Sequence, residues 1–85
     1  MGTGDGRLAD RIRQQLNAGV LPREHPKKIF GGYGVGDACS GCGDRMRPGQ
    51  GVFEFDTAGQ TYRLHIGCFG LWQGELIRRG LFKPQ

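Results

Sequence analysis

The sequence predicts a small α+β domain, and three observations carry that prediction. Its three cysteines and one histidine fall as two matched pairs, Cys39-x-x-Cys42 and His65-x-x-Cys68. Between the pairs, apolar residues alternate with polar ones over 52–56 and 61–65. From Cys68 they recur at helical spacing until Gly80. Alternation marks half-buried strands, and the 3.6-residue period marks an amphipathic helix.

The two pairs set the organisation. Both members of an x₂ pair can reach one ion, and Cys₃His supplies the four ligands of a closed tetrahedral zinc site. Gly43 follows the first pair, where the backbone must turn tightly around the sulfurs. The spacing therefore predicts one Zn²⁺ per chain, bound by Cys39, Cys42, His65 and Cys68. Other readings of the cysteines fit less well. A disulfide framework expects an even count in a secreted chain. A thioredoxin-type pair needs its first cysteine to open a helix, and Gly41 and Gly43 break one. Iron–sulfur clusters usually take four cysteines. A catalytic zinc keeps one position open, whereas four ligands close the shell, and no general-base carboxylate stands at a recognisable spacing. The residues predict a structural ion and no enzyme.

Length and composition bound the rest. The 85 residues allow one small core. The apolar residues after Gly36 only narrowly offset the entropy of ordering that segment, and a structural zinc adds about 10–16 kcal/mol. Folding of residues 37–82 is thus expected to depend on the metal. Twelve basic and eight acidic residues give a formal charge of +4, which permits phosphate contact without requiring it. No apolar run approaches the length of a membrane span. Met1 to Gly6 lack the apolar stretch of a secretory signal. A cytoplasmic protein with no membrane partner is expected.

Taken in order, residues 7–18 carry Leu8, Ile12 and Leu16 at i, i+4 and i+8, an N-terminal amphipathic helix that Gly19 stops. A helix this short is marginal alone and wants a partner for its apolar stripe, either its own zinc domain, the leading reading, or a second copy or another protein. Val20 to Gly36, with two prolines and four glycines, reads as a flexible linker. His25 within it reads as a solvated loop histidine. The chain is thus expected to divide into residues 1–36, helix and Pro/Gly linker, and residues 37–85, the zinc-binding domain. In the second part the alternating stretches bracket Thr57 to Gln60 and predict a β-hairpin, with Phe53, Phe55, Tyr62 and Leu64 on one face. Arg63 with Glu54 or Asp56 lies on the other. In the helix after it, Cys68, Phe69, Trp72 and Leu76 share an arc of about 100°, leaving Glu75, Arg78 and Leu71 outside. Cys68 falls in the first turn, where the helix dipole favours a thiolate. Trp72 is expected in the core.

Knuckle, hairpin, and a helix whose first turn gives the last ligand: this order resembles a treble-clef zinc finger. The motif Cys39-x₂-Cys42-x₂₂-His65-x₂-Cys68 is similar to the first zinc-binding half of a LIM domain. No second cysteine quartet follows, and a helix runs on instead. The resemblance covers residues 39 to about 79. It implies a compact scaffold used for protein binding, nucleic-acid binding and occasionally catalysis, so the fold alone selects none of them.

The leading expectation for function is a protein-interaction or regulatory module that binds another protein, because the helix at 7–18 lacks an obvious partner. The alternative is a nucleic-acid-binding zinc finger. For that reading Lys27, Lys28, Arg45 and Arg47 are the candidate contacts, with Phe30 and Tyr33 as stacking platforms. The sequence leaves the oligomeric state open.

Overall fold

The computed structural model describes residues 3–84 and orders them as α1 (Thr3–Asn17), β1 (Phe30–Tyr33), β2 (Gly51–Thr57), β3 (Gln60–His65) and α2 (Ile66–Arg78). The strands form one antiparallel sheet in the order β1-β2-β3. The expected hairpin is β2 with β3, in a register that opposes Phe53 to Leu64 and Phe55 to Tyr62. Ala58 and Gly59, both at positive φ, make its two-residue loop, the backbone that suits the twist of paired strands. The face bearing Phe53 and Phe55 packs on α2. Phe55 stacks on Trp72 with ring centroids 4.9 Å apart, and Phe53 meets Phe69 edge-on at 5.0 Å.

Trp72 is fully buried, as its place on the apolar arc predicts, and its indole N–H donates to the carbonyl of Pro22 at 2.9 Å. Both helices end in the same hydrogen-bond pattern. In α1, Val20 N–H reaches Gln15 O and Gly19 N–H reaches Leu16 O; in α2, Leu81 N–H reaches Leu76 O and Gly80 N–H reaches Ile77 O. Gly19 and Gly80 take the left-handed conformation this Schellman ending requires.

Several expectations change. The helix expected at 7–18 begins at Thr3, and its stripe packs on its own domain, the leading of its expected partners: Ile12 and Leu16 are buried in one core with Leu64, Cys68, Trp72 and Leu76. A marginal helix gains its stability by packing, and α2 and the knuckle supply the surface. The flexible linker is also corrected. Leu21 and Pro26 are buried, and Phe30 to Tyr33 pair with β2 as an edge strand, Gly31 opposite Phe53 and Gly32 opposite Val52. An edge strand needs only backbone pairing on one side, so two glycines do not forbid it. Residues on both sides of position 36 therefore share one core.

His25 is not a solvated loop residue. Its ring stacks on Phe82 with centroids 3.7 Å apart and faces Trp72 at 5.7 Å. Its Nδ1 lies 2.9 Å from the carbonyl of Pro26, so that nitrogen donates, and Nε2 accepts from the Gln73 amide at 2.9 Å. Glu75, outside the apolar arc, is nonetheless buried. Arg78 pairs with it, and Arg79 Nε donates to it at 2.8 Å. These two guanidiniums, Arg78 first, hold its carboxyl down at about 2 against the opposing effect of burial.

Candidate metal centre

The first cysteine pair sits in a small knuckle closed by backbone bonds. Cys39 N–H donates to Asp44 O at 2.8 Å, Gly43 N–H to Cys39 O at 3.0 Å, and Met46 N–H to Asp37 O at 2.8 Å. Gly43 stands at φ +83°, which explains a glycine there. Amides of Gly41 and Cys42 point at the Cys39 sulfur from 3.3 and 3.5 Å. The knuckle is docked on the free edge of β3, where Ser40 N–H donates to Arg63 O and Arg63 N–H donates to Ser40 Oγ.

The second pair comes from the junction of β3 and α2. His65 ends the strand and forms the N-cap position of α2, which puts Cys68 in the first helical turn. The exposed N–H groups of that turn favour a negative ligand. The four side chains converge: one sulfur or nitrogen from each of Cys39, Cys42, His65 and Cys68 lies within 4.8 Å of all the others. His65 Nδ1 is 3.5 Å from the Cys42 sulfur and 3.8 Å from the Cys68 sulfur. A tetrahedral zinc with Zn–S near 2.3 Å and Zn–N near 2.0–2.1 Å gives S···N edges of about 3.5–3.6 Å. The donor set and its spacing fit one such ion. The three cysteines are free of disulfides, and all are buried.

The electrostatics point the same way. Cys39 is lowered to about 4, first because the Cys68 thiol donates to it and then because backbone amides do, against the opposing cost of burial. Cys68 is pushed up by giving that hydrogen bond, by burial and by the neighbouring sulfur charges. Cys42 is raised chiefly by burial. One thiolate is comfortable here and three repel, a conflict that a bound dication relieves.

Two features of the site had no signal in the ligand spacing. Gly41, between the first two cysteines, is covered by Ile12 of α1, so the N-terminal helix forms one wall of the centre. Arg11 on the same helix lies over the knuckle beside Gly43. The position of Ile12 on an apolar stripe is the only trace the sequence holds of this. Of the candidate nucleic-acid contacts, Lys27 and Lys28 precede β1, whereas Arg45 and Arg47 lie beyond its other end, where Arg45 Nη1 donates to Gly36 O. All four are exposed, but β1 separates the two pairs. Arg63 instead spans the sheet: it faces Glu54 and Asp37 at 3.4 Å each, and Nη2 donates to Tyr33 O at 2.7 Å.

No protein-family model, no curated protein and no solved structure matches this chain. Among the described residues no helix is long and apolar enough to cross a membrane.

Proposed function

We propose that this protein is a structural-zinc module of treble-clef type, similar to half a LIM domain, whose folded surface binds another protein. The observation that carries the zinc reading is the convergence of three thiols and one imidazole within 4.8 Å at the meeting of knuckle, strand and helix. When bound, the ion supplies a cross-link between these elements. The chain's residues hold it: Cys39 and Cys42 from the knuckle, His65 from the strand end, Cys68 from the helix. Four protein ligands complete a structural shell, which supports a role outside catalysis. Three clustered thiols suit a reducing compartment, and we place the protein in the cytosol on that ground.

The protein-binding role no longer draws on α1, whose stripe is spent on the core. It draws on the sheet edge. Five of the eight exposed large apolar residues among the described residues, Ile29, Phe30, Tyr33, Val35 and Ile66, lie on or beside β1, and clustered exposed apolar residues mark interaction surfaces. Recovery from source-cell extract by the zinc-loaded protein, with and without nuclease, tests this. A protein partner retained after nuclease is expected. Recovery that disappears with nuclease would transfer the function to nucleic acid.

A further inference from the structure

Among the described residues, no other strand pairs with the outer edge of β1. The other free edge, on β3, is covered by Ser40 of the knuckle. Gly34 N–H donates to Gln50 O. Alternation in an antiparallel ladder then turns Phe30 and Gly32 towards β2, and turns the N–H and C=O groups of Gly31 and Tyr33 away from it. Tyr33 O is taken by Arg63. A Cβ built on Gly31 or Gly32 meets nothing within 4 Å, so the sheet faces over these two glycines are open. The strand Phe30-Gly31-Gly32-Tyr33 contains no charge and no proline, the usual devices that blunt an edge. Its flanks are apolar and open: Phe30 is 56%, Tyr33 70% and Val35 72% exposed.

We propose that the edge of β1 binds an extended, acidic segment of a partner protein as a fourth strand. This deepens the protein-binding reading above and rests on it. Strand addition takes its affinity from main-chain hydrogen bonds and its selectivity from side-chain pockets along the edge. Tyr33, Phe53 and Ile66 line a shallow groove beside Gly31 that accepts an apolar side chain.

Charge selects the occupant. Lys27 and Lys28 stand at one end of the strand and Arg45 and Arg47 at the other, and none of the four is in an ion pair among the described residues. Acidic residues on both sides of an apolar core match this arrangement. A second copy does not, because pairing β1 with its counterpart sets basic end beside basic end, and opposed like charges destabilise. Nucleic acid fits less well too. The register puts Phe30 on the face of Glu54 and Tyr33 on the face of Phe53, so the two rings do not form one stacking platform.

The test uses zinc-loaded protein of verified metal content, which separates failure here from failure of the zinc reading. The probe is a synthetic peptide with a Val-Thr-Ile-Thr-Val centre flanked by glutamates, titrated by amide NMR beside a lysine-flanked version. The acidic peptide is expected to shift Phe30 to Tyr33, to bind at least tenfold more tightly than the basic one, and to weaken with salt. Gly31→Pro removes an outward N–H, a change an edge strand tolerates, and should abolish binding with the zinc content and remaining spectrum intact. Should the proline variant fold poorly, the Lys27→Glu/Lys28→Glu double reversal should weaken acidic-peptide binding at least tenfold. Undiminished binding by a folded Gly31→Pro or by the double reversal, binding of neither peptide, preference for a single-stranded oligonucleotide, or self-association through β1 each overturns the proposal.

Discussion

Gly41 and Ile12 touch across the metal knuckle. A Cβ on Gly41 would stand 2.8 Å from Ile12 Cδ1, 3.1 Å from Leu64 Cδ2 and 3.4 Å from Cys68 Cβ. Gly41, the second of the two residues between Cys39 and Cys42, thus has no room for a side chain, because α1 occupies the space. Gly41→Ala should cost about 1–3 kcal/mol by overpacking, and Ile12→Ala about 2–5 kcal/mol by leaving a cavity. Since the methyl added by one enters the space vacated by the other, the double variant should be more stable than the sum of the single losses predicts. Urea unfolding of the four zinc-loaded proteins measures the coupling; strict additivity would mean that α1 does not rest on the knuckle.

The same contact predicts strong amide-exchange protection for α1 in the isolated protein. Residues 8–17 should exchange about as slowly as α2, because both helices share the buried cluster of Leu16, Trp72 and Leu76. Fast exchange over α1 alone would show that the helix detaches in solution.

Glu75 predicts a pH dependence. Its folded pKa, about 2, lies below the ordinary carboxyl value of 4.5. A depressed carboxyl stabilises the fold above its unfolded pKa, and that contribution fades as pH falls from about 4.5 towards 2. Glu75→Gln should therefore lower stability near neutral pH by about 1–3 kcal/mol, most of it from Arg79 losing its buried partner, since the exposed Arg78 adds little. The variant's urea midpoint should converge with the parent's in acid. A constant gap at every pH would contradict the assignment.

His25 predicts an effect on the C-terminal segment. His25→Ala removes the stack on Phe82 and the bond from Gln73. A loss of about 1–2 kcal/mol is expected from aromatic pairing and one hydrogen bond. The aromatic proton shifts of Phe82 should move towards those of a free ring. An unchanged Phe82 spectrum would place the ring elsewhere.

The ligand set and the hairpin were legible in the sequence for the same reason: both are local patterns with a fixed period or spacing. The x₂ pairs place Cys39 with Cys42 and His65 with Cys68, and alternation places Phe55 opposite Tyr62 without knowledge of anything distant. What the sequence hid was long-range. The two glycines of Phe30-Gly31-Gly32-Tyr33 outweigh the strand propensity of its aromatic ends, and an edge strand is fixed by its neighbour, here β2. His25 reads as a loop residue until Phe82, more than fifty positions later, is known to lie against it. The stripe of Leu8, Ile12 and Leu16 announced a helix that packs on its own domain, but not that Ile12 would wall the candidate metal site beside Gly41.

The metal itself is the point on which the account turns. Removing it, or replacing Cys39, Cys42 or Cys68 by serine, should unfold the sheet and α2 together, because a hydroxyl is a far weaker zinc ligand than a thiolate. The most direct measurement is X-ray absorption on zinc-loaded protein, paired with native mass spectrometry. One zinc per chain is predicted, with three sulfur ligands near 2.3 Å and one nitrogen near 2.0–2.1 Å. A shell containing oxygen from solvent, fewer than three sulfurs, or a chain that keeps its dispersed amide spectrum after zinc is stripped would contradict a structural Cys39-Cys42-His65-Cys68 centre.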